Sequence, residues 1–126
     1  MFLLKQDEFE KSIEQFKKAL EIEPGNADAT YNCGVAYLNW GVAMREQAEK
    51  KVDEERKKGK GLKDTKEDTS FREKFRDAIP YLEKSAERRQ DDALLWQQLA
   101  RVYANLNMVE KSKVAFEKAD ALMKSK

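Results

Sequence analysis

Apolar residues recur every three or four positions along most of the chain, and polar gaps between these stripes mark the turns. Phe9, Ile13, Phe16, Ala19, Leu20 and Ile22 form the first stripe, the mark of an amphipathic helix over about residues 7–22. Glu23-Pro24-Gly25-Asn26 ends it, because proline cannot continue the hydrogen-bond ladder and glycine and asparagine favour turns. Tyr31, Cys33, Val35, Tyr37, Leu38, Trp40, Met44, Ala48 and Val52 make a longer second stripe. No proline interrupts it, and a packed helix tolerates single glycines such as Gly34 and Gly41 at about 1 kcal/mol each. The spacing predicts one helix over about 28–57, broken by Gly59-Lys60-Gly61.

A third helix is expected to start between Thr65 and Ser70. Ser70-Phe71-Arg72-Glu73 has the form of a capping box. Phe71, Phe75, Ile79, Leu82 and Ala86 follow at helical spacing, with Pro80 inside the pattern. Pro80 should remove the bond to the Arg76 carbonyl and kink the helix. Asp91-Asp92 precedes a fourth stripe of Leu95, Leu99, Val102, Tyr103 and Leu106; Val109, Val114, Phe116, Ala119 and Leu122 mark a fifth. The expectation is an all-α chain of antiparallel helix pairs with short connections.

Composition narrows the chemistry. The 126 residues suit one domain, and 5 Gly with 2 Pro argue against a turn-rich β fold. Charged residues make up 39%, yet the net charge is +1, so no global field draws in nucleic acid or an acidic membrane. Cys33 is the one cysteine and there is no histidine. That excludes an intramolecular disulfide and a Ser-His or Cys-His catalytic pair, and it leaves no Cys/His zinc set. For Cys33 two readings stand: a reactive thiol, or a small buried hydrophobe. The sequence contains no Gly-rich phosphate loop and no recognisable pair of functional groups for catalysis. No enzyme activity, metal or cofactor is expected. No apolar run approaches the ~18 residues of a membrane span, and Met1-Phe2-Leu3-Leu4 is too short for a signal peptide. A soluble protein, cytoplasmic rather than exported, is the expectation; the compartment itself is not encoded.

The chain repeats itself. Ser12-x3-Phe16-x2-Ala19 returns as Ala78-x3-Leu82-x2-Ser85 and as Ser112-x3-Phe116-x2-Ala119. The step from Ala78 to Ser112 is one period, and the step from Ser12 to Ala78 is nearly two, a period plus an insertion of similar length. Thr30-x2-Cys33-Gly34-x2-Tyr37 returns after the same double step as Trp96-x2-Leu99-Ala100-x2-Tyr103. A period of about 34 residues holding two helices is the signature of a helical solenoid. These residues resemble the tetratricopeptide repeat family, whose pattern is W-x2-L-G-x2-Y, then A-x3-F, then P. The resemblance implies a single all-α domain, a tetratricopeptide-type α-solenoid of antiparallel helix pairs wound into a right-handed superhelix. Its parts would be a partial repeat at 1–26, a second repeat at 27–92 with an insertion at about 42–73, and a third repeat at 93–126. The first unit lacks most of its first helix and no solvating helix follows the third. Solenoids need capping elements, so the expectation is a piece of a longer protein, or ends that pair with another copy.

The insertion contains KKVDEERKKGKGLKDTKEDTS, which is mostly charged. Met44, Ala48 and Val52 carry one apolar stripe into it, and Phe71 and Phe75 carry another out. The simplest structure is a helix pair prolonged into a projecting hairpin, with unequal arms and a tip over Gly59 to Lys63. Glu46–Lys50 and Glu54–Lys58 offer i,i+4 pairs worth about 0.2–0.5 kcal/mol each. Lys57, Lys58, Lys60 and Lys63 make the tip basic. They could contact a phosphate or an acidic partner, or simply keep a loop solvated. Acidic neighbours dilute the field and no aromatic interleaves for base stacking, so nucleic acid is not expected.

What the family resemblance implies is a protein–protein interaction scaffold. Its concave surface, lined by the first helix of each unit, would hold a peptide or partner protein, here unidentified. The candidates on that side are Asp28, Tyr31, Val35, Leu38 and Asn39, then Leu94, Gln97, Arg101, Ala104 and Asn105. Asparagine amides can hold a peptide backbone, while Tyr31 and Leu38 would supply apolar contact. The alternative is that several of these residues merely pack against neighbouring repeats. One subclass of the family clamps chaperone carboxylates with several Lys and Arg on this face; only Arg101 is in place, so that role is not expected. The second functional class is self-assembly, a homodimer formed through exposed repeat ends or the inserted arm.

Overall fold

The computed structural model describes residues 2–59 and 68–125. Among them are five helices and no strand: α1 (Phe2–Ile22), α2 (Ala27–Lys57), α3 (Phe71–Arg88), α4 (Ala93–Asn105) and α5 (Val109–Lys124). Each helix packs on the next in chain order, α1 on α2 through to α4 on α5. This is the all-helical repeat that the periodicity predicts.

Local chemistry sets most of the boundaries. Asn26 caps α2, its side-chain oxygen accepting from the Ala29 N–H at 3.0 Å, and Asp92 caps α4 by accepting from Leu95 at 3.2 Å. Each satisfies one of the donors left free at a helix start. The turn after α4 uses Asn107 at φ 60°. The Met108 N–H donates to the Tyr103 carbonyl at 2.9 Å and the Asn107 N–H to that of Ala104 at 3.1 Å, a Schellman closure with asparagine in glycine's place.

Two local expectations are corrected. Ser70 does not form a capping box: its backbone is already helical and its side chain makes no cap bond. Its N–H and hydroxyl both donate to Asp68 Oδ1 instead, at 2.9 and 2.7 Å. These bonds hold the Asp68 carboxyl below its usual range. The Glu46–Lys50 and Glu54–Lys58 pairs do not close among the described residues, whereas Arg45 and Glu49 do, at 3.0 Å. The α3 helix runs unbroken through Pro80. Pro80 and Arg76 are both exposed, so water can reach the carbonyl that proline leaves unpaired.

The core lies between α2, α3 and α4. Phe75, Leu82, Leu95, Leu99, Val102, Thr30 and Cys33 are its largest fully buried side chains. Burying a residue such as Leu82 contributes about 1.5–3 kcal/mol. Gly34 and Gly41 bring α2 close to α3. A Cβ at Gly34 would lie 2.8 Å from Leu82 Cδ2, and one at Gly41 would lie 2.9 Å from the Phe75 ring. These glycines are therefore contact points as well as tolerated weak spots. Cys33 has no exposed surface, and burial pushes its thiol pKa up; it is a small core residue and not a reactive thiol.

The segment expected as an insertion, about 42–73, is one-armed as far as the described residues go. Phe75 packs against Gly41, and from there α2 runs on to Lys57, while α3 starts only one turn away at Phe71. Met44, Val42 and Phe71 pack onto the core, and Phe71 meets Phe75 edge to face at 6.0 Å. Gly59, at φ 86°, takes the left-handed conformation that lets the chain turn out of α2. Lys57 and Lys58 are exposed; Lys60 and Lys63 lie outside the described residues.

Candidate functional site

The same four positions on α2 and α4 build the candidate face. Asp28, Tyr31, Val35 and Asn39 sit at i, i+3, i+7 and i+11 of α2, and Leu94, Gln97, Arg101 and Asn105 repeat that spacing on α4. At 3.6 residues per turn these offsets share one side of a helix, so two equivalent rows run along α2 and α4. Asp28, Asn39, Leu94, Arg101 and Ala104 are exposed, whereas Tyr31, Val35, Gln97 and Asn105 are half-buried.

Leu38 is a correction. It is only 4% exposed and belongs to the core, so it offers no contact to a partner. Its helix packs against both α1 and α3, which widens the buried side of α2 beyond a single stripe. Val35 also leans onto the core.

Side-chain bonds tie the two rows together. The Tyr31 hydroxyl donates to Gln98 Oε1 at 2.9 Å. Arg45 Nη1 donates to Asn105 Oδ1 at 2.6 Å, and Asn105 Nδ2 donates to the Arg101 carbonyl at 2.9 Å. Arg89 holds Asp28 at 3.2 Å and lies over the Tyr31 ring at 5.3 Å. Gln97 points the other way, toward the Met123 sulfur on α5 at 3.0 Å.

The side of α4 between α3 and α5 carries two clefts of about 310 and 330 Å³ that share Glu83, Trp96 and Tyr103. The polar groups of Tyr103 and Trp96 are already engaged. The Tyr103 hydroxyl donates to Glu83, the Trp96 indole N–H donates to the Gln90 carbonyl, and Lys118 covers the Trp96 ring at 4.4 Å. Desolvation and the Glu83 carboxylate hold the Tyr103 phenol far above its usual pKa, which favours a structural hydroxyl over a proton donor in catalysis. Among the described residues no group of three or more His, Cys, Asp or Glu could hold a metal ion, and no helix is long and apolar enough to cross a membrane.

Arg45, Arg72, Gln98 and Asn107 escape sequence reasoning. Arg45 meets Asn105 from a distant part of the chain, and no local pattern marks such a pair. Asn107 follows a turn without Gly or Pro, so only its left-handed backbone singles it out.

Two family models match the chain. One, described as a TPR repeat, covers residues 3–41, and the other, described as a tetratricopeptide repeat, covers residues 93–122. They lie on either side of residues 42–92 and together span more than half of the sequence. No curated protein matches the chain.

Proposed function

Since the chain belongs to the tetratricopeptide repeat family, we propose that it is a scaffold that binds a peptide or partner protein along the α2–α4 face. Repeats of this family generally mediate contacts between proteins, and the family is typically non-catalytic. The observation that carries the proposal is the doubled row of equivalent positions on α2 and α4. Its outer members, Asp28, Asn39, Leu94 and Arg101, remain exposed, while the Tyr31–Gln98 and Arg45–Asn105 bonds fix the helices beneath them. A face held in place before binding loses less entropy on association. Its mixture of carboxylate, amide, aliphatic and guanidinium groups suits an extended peptide.

Affinity capture from the source organism tests this reading. The intact chain should retain a partner that an Asn39→Arg/Leu94→Glu double variant retains about tenfold less, as expected when central contacts are lost. Circular dichroism should show the same helix content in both. A partner that survives the double substitution but disappears when residues 50–67 are deleted would move the function to the inserted arm.

Self-association is the second reading, favoured by one observation. Val109, Phe116 and Met123 recur at i, i+7 and i+14 on α5 and are 70%, 44% and 52% exposed, an apolar row of the kind that seeks a partner. A mass independent of concentration in sedimentation would dismiss it.

A further inference from the structure

At one end of the α2–α4 face a cavity of about 430 Å³ opens between three helices and a turn. Arg45 of α2, Arg72 at the start of α3 and Arg101 of α4 all line it, with Asn105 and Asn107 beside them. No carboxylate lines it among the described residues. Three guanidiniums around one space repel each other and keep their charge at any ordinary pH. Such an arrangement is relieved by an anion.

The donors are already held. Asn105 accepts from Arg45 through its oxygen and fixes itself to the Arg101 backbone through its nitrogen. Arg72 lies over the Phe71 ring at 5.9 Å. Its Nε is buried and has no hydrogen-bond partner among the described residues. A buried guanidinium N–H without an acceptor is costly, so Arg72 gains from any oxygen atom that its side chain can turn to meet. The nearby Glu49 carboxylate bonds Arg45 at 3.0 Å, but both side chains are about half exposed or more. A pair of that kind contributes little and is readily exchanged.

We propose that this pocket receives an oxyanion, a carboxylate or phosphate group carried by a peptide lying along the α2–α4 face. The peptide half of the proposal rests on the function proposed above; the anion site stands without it. Planar guanidiniums match carboxylate and phosphate oxygens two by two. Protein is favoured over nucleic acid as the bearer, because the aromatic ring at the site is taken. Phe71 is covered by Arg72 and packs edge-on to Phe75, leaving no face for a base to stack on. Arg45 and Arg72 both belong to the inserted segment, which thereby brings two cations to a pocket where Arg101 is the third.

Nuclear magnetic resonance of the full chain, titrated with inorganic phosphate, tests the anion site. The Arg72 Nε–H and Asn105 side-chain amide signals should shift saturably. Arg72→Gln and Arg101→Gln should each weaken binding about tenfold, the loss expected for a charge-assisted hydrogen bond. Arg88→Gln, at the far end of α3, should leave it unchanged. Shifts that fail to saturate, or that survive both pocket substitutions, overturn the site.

Three peptide pools of equal length then identify the source: one with a fixed phosphoserine, one with a fixed Asp-Glu pair and one with serine. The intact chain should retain one charged pool about tenfold better than the serine pool, and Arg72→Gln should abolish the preference. Equal retention of all three pools would overturn the pocket's role in peptide binding while the α2–α4 face stands. Saturable phosphate binding with no pool retained would overturn peptide binding on that face and leave the anion site.

Discussion

The helix pairs α2/α3 and α4/α5 share the residue spacing that pairs Cys33 with Leu99, Tyr37 with Tyr103 and Leu82 with Phe116, yet they bury the last of these paired positions very differently. Leu82 of α3 is fully buried, whereas Phe116, its counterpart on α5, is 44% exposed. The smaller side chain contributes to the core and the larger one faces out. Neighbours decide this. α3 has α2 on one side and α4 on the other, while α5 packs mainly on α4. The repeat pattern specifies which residue could be buried, and stacking decides whether it is. The contrast extends to the facing helix. Gly34 leaves room for Leu82, and its equivalent Ala100 already carries a buried methyl group.

The sharpest break of this comparison is truncation of both residues to alanine. Leu82→Ala should cost about 2–5 kcal/mol, because a cavity remains in a packed site. Phe116→Ala should cost about 1 kcal/mol or less, as for partly exposed positions. Midpoints of urea unfolding report both. An equally large loss at Phe116 would mean that its exposed face is covered in solution, which would favour self-association.

A smaller effect is expected where the two pairs differ by one methyl group. Gly34→Ala gains about 1 kcal/mol of helix propensity, but its Cβ would fall 2.8 Å from Leu82 Cδ2 and 3.1 Å from Tyr81 Cβ. Overpacking of a filled core costs about 1–3 kcal/mol, so the net change should be a loss of stability. A stabilised variant would show that α3 can shift away from α2, and that the close approach is not fixed by the core.

How much of this was written locally explains what could be read in advance. Helices and the offset between units are local or periodic, and both are legible from apolar spacing. Burial on a helix with several neighbours is not. Tyr31 and Leu38 look alike as apolar groups on α2, yet Tyr31 reaches across to Gln98 while Leu38 is enclosed. The capping box at Ser70 failed for a different reason. Asp68, two positions earlier, offers a carboxylate that takes both donors of Ser70, so the N–H that Glu73 would receive in a capping box is already bonded closer by. The cationic pocket was invisible because Arg45, Arg72 and Arg101 come from three helices, and only folding makes them neighbours.

The subtlest difference between matched positions is a reversal of charge at one slot. Lys17 of α1 stands over the Tyr37 ring at 5.5 Å, and Glu83, its counterpart on α3, accepts from the Tyr103 hydroxyl. A phenol can accept or donate, so either sign of charge serves. The Tyr37 hydroxyl raises the Lys17 pKa, whereas desolvation and then Glu83 raise that of Tyr103. Both folded-state values lie above the unfolded ones, so both groups stabilise the fold fully below pH ~10 and lose that contribution as pH rises further. Between the two values the folded state keeps a proton that the unfolded state has released, which makes stability fall with pH. Lys17 is exposed and Tyr103 is only 6% exposed, so Tyr103 should dominate. Tyr103→Phe should cost about 1–2 kcal/mol at neutral pH, since Glu83 loses its donor. It should also flatten the decline of stability above pH ~10, leaving a remainder from Lys17 and from Tyr81, whose pKa burial also raises. Lys17→Met should change that decline less. Urea unfolding at several alkaline pH values measures both slopes; a steeper change in the Lys17 variant would mean that the exposed slot, and not the buried one, governs the alkaline response.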